Sequence, residues 1–137
     1  MMHSLKISIV QTDIAWENKQ ENLRMLREKL HALRGTTEIV VLPEMFSTGF
    51  TMKSRELAEP VSGITVRILK ELAADFQLAL CGSFICSERS NYYNRAFFIT
   101  PKGEEFYYDK RHLFRMGNEA EHFSAGSGVE YLSAGLL

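Results

Sequence analysis

No apolar run in this sequence approaches the roughly 20 residues that a membrane-spanning helix needs, so none is predicted. Neither sign of charge predominates, because the formal net charge is −1 and no block of five like charges occurs. This interleaving argues against nucleic-acid and membrane-surface partners. The stretch Met1 to Lys6 has no long apolar segment and no small-residue cleavage site, so no signal peptide is predicted.

Cysteine is scarce, with two residues, Cys81 and Cys86, in the whole chain. Both fall on a predicted strand, and their odd spacing places them on opposite faces of it. Without a secretory signal we interpret them as reduced thiols of a cytoplasmic protein. Their expected role is that of small buried apolar residues, not of nucleophiles. The four histidines lack ligand spacing, so no metal or other cofactor is predicted.

The 137 residues suffice for one domain, and 45% hydrophobic with 24% charged residues indicates a soluble globular protein. Apolar periodicity predicts strands at 6–10, 38–42, 77–85, 95–100 and 105–108, and helices at 17–33 and 64–76. Turns are predicted at 91–94 and 101–103, mostly loop at 113–128, and a further strand from 129 to 132. This order predicts an α/β fold whose sheet has an antiparallel extension.

A carboxylate directly follows the second predicted strand, in Leu42-Pro-Glu44-Met-Phe46. That strand is nearly continuous in apolar residues, which indicates burial on both faces. The carboxyl end of such a strand is where sites form in α/β sheets, so a partly buried Glu44 could act as a general base. Taken alone, however, Glu44 is better explained as an ordinary loop residue that caps a helix.

A lysine occupies the corresponding place after the last predicted strand, in Tyr107-Tyr-Asp-Lys110-Arg-His-Leu-Phe114. A fixed cation at a strand end could stabilise a developing oxyanion. Taken alone, however, this segment is better explained as a solvated basic turn.

The two segments together resemble the nitrilase superfamily of carbon–nitrogen hydrolases. The opening KISIVQTDIAWENKQENL, with Asn22 on its helix, and the stretch CGSF…YYNRAFFITPKGEEFYYDKRHLF are similar to that family as well. The resemblance implies an α-β-β-α sandwich and a Glu-Lys-Cys triad. In this triad Glu44 is the general base, Lys110 stabilises the oxyanion, and a cysteine forms a thioester. Glu119, seven residues before Gly126, matches the second glutamate of many members, and Glu121 is the alternative.

The segment that carries the family's cysteine, similar to CYDLRFP, does not occur in the sequence. We therefore expect residues 1–137 to be the N-terminal part, about half, of a single carbon–nitrogen hydrolase domain. The alternative explanations are a shortened sequence or gene product, a second chain that holds the remaining residues, and a frameshift near the end. A half-domain exposes an apolar sheet face and open edges, so self-association is expected.

Within the superfamily, LPEMFSTGF and DKRHLFRMGNE resemble the omega-amidase branch, which hydrolyses monoamides such as 2-oxoglutaramate. Such an acidic substrate needs a cation, for which Arg115 and Arg111 are the candidates, although each is equally well a surface ion-pair partner. Other amidases, carbamoylases and nitrilases share the catalytic pair. The resemblance also implies a homo-oligomer, a dimer. The alternative is a catalytically inert assembly or interaction module that retains the scaffold.

Overall fold

The computed structural model describes residues 3–128 of the chain. Its strands are β1 (Ile7–Ile9), β2 (Ile39–Val41), β3 (Ala79–Glu88), β4 (Asn91–Ile99) and β5 (Glu105–Asp109). Its α-helices are α1 (Lys19–Leu33), α2 (Ser54–Leu57), α3 (Ile64–Phe76) and α4 (Glu119–His122), and a 3₁₀ turn spans Arg115–Gly117. The predicted strand at 129–132 lies outside the described residues.

The five strands form one sheet in the order β1-β2-β3-β4-β5. The first three run parallel, joined by the crossover helices α1 and α3, whereas β4 and β5 are added antiparallel through hairpins. The predicted α/β fold with an antiparallel extension is therefore confirmed. The carboxyl ends of β2 and β5 and the amino-terminal half of β4 meet at one end of this sheet.

Helices α1 and α3 cover one face of the sheet and form the main core with it. Apolar residues of both helices, such as Leu30 and Leu69, pack against the inward side chains of β2, β3 and β4, including Val40, Phe84 and Phe97. In β2 the neighbouring residues Ile39 and Val40 point to opposite faces of the sheet and are both buried, as the continuous apolar run predicts.

The opposite face of the sheet has no long helix over it among residues 3–128, although at one end Ile85 of β3 packs with Leu57 of α2 and with Phe123, which directly follows α4. Ile7 and Ile9 of the edge strand β1 are 54% and 78% exposed there. Farther along the same face, a shallow hollow of about 130 Å³ is lined mainly by Cys81 and by side chains of β4 and β5. The described residues thus contain one helical layer and one sheet, which is half of an α-β-β-α sandwich.

Most element boundaries differ from the prediction by a few residues, as in β3, which spans Ala79–Glu88 and not 77–85, and two of the differences have a clear local cause. Helix α1 begins at Lys19 and not at residue 17, because Glu17 has a positive φ of 55° and the Asn18 side chain caps the helix. Strand β4 begins at Asn91, where the sequence predicts a turn. The chain reverses earlier, at Arg89 and Ser90, whose φ angles of 49° and 64° form a tight hairpin without glycine or asparagine.

Two short helices were not predicted. Residues 113–128, expected to be mostly loop, contain the 3₁₀ turn and α4, and α2 lies in the connection between β2 and α3. Both α2 and α4 are single turns, which are too short to show helical periodicity in the sequence. They are joined to each other, since the Ser54 hydroxyl donates to the His122 carbonyl at 2.5 Å.

Candidate active site

Glu44, Lys110 and Glu119 come together at one end of the sheet, on the face opposite to α1 and α3. Glu44 lies in the turn after β2 and Lys110 directly follows β5. The Lys110 ammonium donates to Glu44 Oε1 at 2.9 Å and lies 3.1 Å from Oε1 and 3.4 Å from Oε2 of Glu119. Glu44 therefore caps no helix, and its side chain is an ion-pair partner of Lys110.

Glu119 is the most enclosed of these charges, with a side chain that is 0% exposed. Its Oε1 accepts a hydrogen bond from the Phe114 N–H at 2.6 Å, which closes the loop between β5 and α4. Buried carboxylates require such partners, because an unpaired charge in the interior is costly. Glu121, the alternative candidate, is exposed on the same short helix. The structure thus brings Glu119 to Lys110, while its part in catalysis stays a prediction.

Lys110 carries a fixed positive charge in this arrangement. Partial burial is the largest influence on its pKa and lowers it, but hydrogen bonds and charge from Glu44 and Glu119 outweigh burial and raise the pKa. The ammonium also lies 5.4 Å from the centre of the Phe50 ring, a distance at which the ring face attracts a cation. Lys110 is therefore protonated throughout the physiological pH range.

The backbone on each side of Lys110 is anchored by a neighbouring segment. Arg95 donates from Nε and Nη2 to the two carboxylate oxygens of Asp109, at 2.6 and 2.9 Å. The Gly126 N–H donates to the Lys110 carbonyl at 2.9 Å. A Cβ at Gly126 would lie 2.2 Å from the Asp109 carbonyl oxygen, so only glycine permits this close approach.

The turn that carries Glu44 is fixed by hydrogen bonds to β3 and to α1. Met45 is fully buried in the left-handed region at φ 48°, and its N–H donates to Ser83 Oγ at 2.8 Å. Asn22, on α1, donates from its amide to the Ser47 carbonyl at 2.7 Å and to the Ala15 carbonyl at 2.8 Å. A bulky residue tolerates such a φ only where its surroundings fix it, so the turn has one defined conformation.

Asn94 is a member of this site that the sequence analysis missed. It is 3% exposed in β4, and its amide donates to Glu44 Oε1 at 2.7 Å and to Glu119 Oε2 at 3.2 Å. Strand alternation puts it on the same face as Ile85, its partner in β3. The prediction of a turn at 91–94 concealed it, since a turn asparagine is expected to be exposed.

Comparison with known proteins identifies the family of this site. Residues 6–136 match the family model described as carbon-nitrogen hydrolase. The chain belongs to the carbon–nitrogen hydrolase family. The omega-amidase YafV of Yersinia enterocolitica is 34% identical over 91% of the chain and 48% of its own length. The 2-oxoglutaramate amidase of Bacillus subtilis is 28% identical over 91% and 49%. The chain thus spans about half the length of the curated relatives it matches.

Solved structures of family members confirm the fold of this chain. The crystal structure of XC1258 from Xanthomonas campestris, a CN-hydrolase superfamily protein, superposes with a TM-score of 0.89 at 38% identity. The match covers 95% of this chain and 50% of XC1258. The fold expected from the resemblance, about half of a nitrilase-type sandwich, is therefore confirmed.

Neither cysteine of this chain lies against Lys110. Cys86 is fully buried in the core on the helical face, and burial raises the pKa of its thiol to about 11. Cys81 is half-buried with a pKa that burial also raises, and it pairs with Phe98, four residues along β4 from Asn94. At the usual rise per residue this separation is about 13 Å. The expectation that both are structural residues is consistent with these positions.

The two arginines proposed for substrate binding are both exposed. Arg115 lies in the 3₁₀ turn after Phe114, and Arg111 follows Lys110 directly. Within residues 3–128 no hydrogen bond or ion pair joins either one to Glu44, Lys110 or Glu119. Their role in binding substrate stays a prediction.

The described residues show neither a metal-binding cluster nor a membrane-spanning helix. Among residues 3–128 no group of three or more His, Cys, Asp and Glu side chains is arranged to hold a metal ion. None of the helices in that range is both long and apolar enough to cross a membrane.

Proposed function

We propose that this chain supplies the two glutamates and the lysine of an amidase site that acts on a small linear amide. The observation that carries the proposal is the Lys110 ammonium, which contacts both Glu44 and Glu119 at the end of the sheet. The proposed substrates are monoamides of 2-oxo dicarboxylic acids such as 2-oxoglutaramate. Support for this class comes from the relatives named omega-amidase and 2-oxoglutaramate amidase.

Glu44 is suited to act as the general base through one particular atom. Its Oε1 already accepts from Lys110 and Asn94, whereas Oε2 accepts no hydrogen bond from residues 3–128. The side chain is 48% exposed, so Oε2 is open to an incoming thiol. A thiol with an ordinary pKa of about 8.5 is only a few per cent ionised at neutral pH, which is why a base is required.

Lys110 and Glu119 take different parts in the proposed reaction. The thiolate adds to the amide carbon, and Lys110 stabilises the negative charge that moves to the amide oxygen. The proton on Glu44 passes to the nitrogen, and ammonia leaves. Water then attacks the thioester, Glu44 accepts its proton, and the acid departs as the thiol is restored. Both oxygens of Glu119 are engaged, so it orients Lys110 and does not exchange protons.

The nucleophile in this proposal is a cysteine from outside residues 1–137. The experiment measures ammonia release from 2-oxoglutaramate by the 137-residue chain and by any longer product of the same gene. In a form that carries such a cysteine, Glu44→Gln and Lys110→Met should each lower kcat by at least ~10²-fold. Glu121→Gln, an exposed neighbour on α4, is the matched control and should leave the rate unchanged.

Three outcomes of this assay would contradict the proposal. Absence of ammonia from every form that contains a further cysteine would refute amidase activity. Turnover by the 137-residue chain that is lost on Cys86→Ala would instead make Cys86 the nucleophile. A loss of activity in Glu121→Gln but not in Glu119→Gln would transfer the supporting role to Glu121.

Arg115 is the proposed partner of the acidic end of the substrate. It is adjacent to Phe114, whose N–H binds Glu119, so it lies on the loop that borders the site. Arg115→Gln should raise KM for 2-oxoglutaramate and leave kcat nearly unchanged, while Arg111→Gln changes neither. The reverse pattern would assign substrate binding to Arg111.

A second candidate function is that of an inert assembly or interaction module. It is favoured by the uncovered sheet face, on which Ile7 and Ile9 are exposed, and by the distance of both cysteines from Lys110. In either case the proposed assembly is a homo-oligomer, a dimer. The gene sequence downstream of residue 137 discriminates the two functions, because a segment similar to CYDLRFP, in frame or shifted, supports the amidase and its absence the inert module.

A further inference from the structure

Asn94 contacts Glu44, Glu119 and Lys110 of the proposed site. Its side-chain Nδ2 lies 2.7 Å from Glu44 Oε1 and 3.2 Å from Glu119 Oε2. Its backbone carbonyl accepts a hydrogen bond from the backbone N–H of Lys110 at 3.0 Å. Asn94 is 3% exposed, so solvent does not compete for these contacts.

The chemistry of the two carboxylates requires a donor at this position. Glu44 and Glu119 share one ammonium, so the charges of the three groups sum to −1 and the two carboxylates repel each other. An uncharged amide carries two N–H groups on one nitrogen and can donate one to each carboxylate. The amide oxygen cannot take this place, because three acceptors would then face one another without a proton between them.

The amide also limits where Glu44 can accept a proton. The Asn94 amide and the Lys110 ammonium only donate, and both donate to Glu44 Oε1. A proton that arrives at Glu44 must therefore bind Oε2, the oxygen directed away from Asn94. The position of Asn94 thus decides that Oε2, and not Oε1, of Glu44 faces the incoming thiol.

We propose that Asn94 is a positioning residue that fixes Glu44 and Glu119 in one geometry by donating one N–H to each carboxylate, while its carbonyl holds Lys110. The role in catalysis rests on the proposed amidase function. The contact itself does not, and it can be tested on the 137-residue chain without any activity.

The test is a double-mutant cycle on thermal stability at pH 7.5. Asn94→Asp puts a third carboxylate against the other two and should lower Tm clearly. Adding Glu119→Gln exchanges the amide and the carboxylate, so an N–H again lies between positions 94 and 119 and part of the lost Tm should return, while the repulsion from Glu44 remains. Adding Glu121→Gln, which removes a charge from the same helix without this contact, should restore nothing. Asn91→Asp on the same strand is the control for charge.

Each outcome of the cycle decides the proposal. If Asn94→Asp and Glu119→Gln act additively, or if Glu121→Gln restores Tm equally well, the direct contact is refuted. If Asn94→Asp does not fold, folding of the exchanged variant supports the contact, and failure of both variants while Asn91→Asp folds overturns it. The loss of Tm in Asn94→Asp should also shrink as the pH falls, because protonation of the new carboxyl removes the repulsion.

The catalytic half of the proposal needs a form that hydrolyses an amide. There Asn94→Leu, which keeps the volume but removes the donor, should lower kcat by ~10- to 100-fold with little change in KM, since misplacement by about 1 Å has effects of this size. An unchanged kcat would refute positioning. If the parent form releases no ammonia, the proposed function fails, and the stability cycle still decides whether Asn94 holds the two glutamates.

Discussion

Replacing Lys110 with methionine would remove the one positive charge that pairs with Glu119 within residues 3–128 and leave a side chain of similar length. Glu119 is 0% exposed, so it cannot recover hydration when the ammonium is lost. Removing one partner of a buried ion pair costs about 3–5 kcal/mol of unfolding free energy. The Phe114 N–H and the Asn94 amide still donate to Glu119, which places the expected cost near the lower limit, at about 3 kcal/mol.

The contacts of Lys110 with its other neighbours add little to this magnitude. Glu44 is 48% exposed, and ion pairs to exposed carboxylates contribute below about 1 kcal/mol. The Phe50 ring at 5.4 Å contributes less than about 1 kcal/mol, and methionine keeps part of that packing. For a chain of this length, 3 kcal/mol corresponds to a fall in Tm of roughly 10 °C.

Urea denaturation followed by circular dichroism measures this loss on the 137-residue chain. The double variant Lys110→Met with Glu119→Gln should recover most of the stability, because no buried charge is then left unpaired. Lys53→Met is the matched control, since Lys53 pairs with Glu17 at 3.3 Å but is 65% exposed, and its loss should cost below about 0.5 kcal/mol. A cost for Lys110→Met as small as the control, or no recovery in the double variant, would refute the reasoning.

Three further predictions concern the cysteines, the sheet face and pH. With a pKa of about 11, the Cys86 thiol is ionised only to a fraction of ~10⁻⁴ at pH 7, so iodoacetamide should alkylate it at least ~300-fold more slowly than an unfolded thiol. The partly exposed Cys81 should react first. Equal alkylation rates of the two cysteines in the folded chain would contradict the burial of Cys86. Ile7 and Ile9 should drive self-association in analytical ultracentrifugation, and Ile9→Lys should reduce it; a monodisperse, cooperatively melting wild-type monomer is the opposing result. The stability from the raised pKa of Lys110 is fully present below the unfolded lysine pKa of about 10.4 and is lost as the pH rises through the folded value, so the wild type should converge on Lys110→Met there.

The sequence was sufficient to predict the order of the main elements and three of the residues that meet at the site, Glu44, Lys110 and Glu119. Helix α3 was predicted at its observed bounds, since its apolar face is regular and its covered strands are continuous in apolar residues. Glu44 and Lys110 were predicted because their two segments together resemble the nitrilase superfamily, whereas the strand pattern alone did not distinguish either one from an ordinary surface residue. The carboxyl ends of β2 and β5 lie at the same end of the sheet, with β3 and β4 between them. The Glu44 and Lys110 side chains reach each other across this gap.

Asn94 and the burial of Glu119 could not be predicted by the same means. A hairpin that turns at Arg89 and Ser90 has no glycine or asparagine to mark it, so the start of β4 was assigned to the turn. A glutamate in a predicted loop is expected to be solvated. Its complete burial depends on Lys110, Asn94 and the Phe114 N–H acting together, and no local pattern records a three-way contact.

The position of the charges on the uncovered face of the sheet has a consequence for their strength. Two unit charges 4 Å apart interact by about 1 kcal/mol at the dielectric constant of water and by about 4 kcal/mol at an effective value of 20. Lys110 is 29% exposed in the described structure and lies beside solvent. A protein layer over this face would strengthen its attraction for an oxyanion several-fold while every distance in the site stays the same. The electrostatic power of the site is therefore set by what lies over the sheet as much as by the residues themselves.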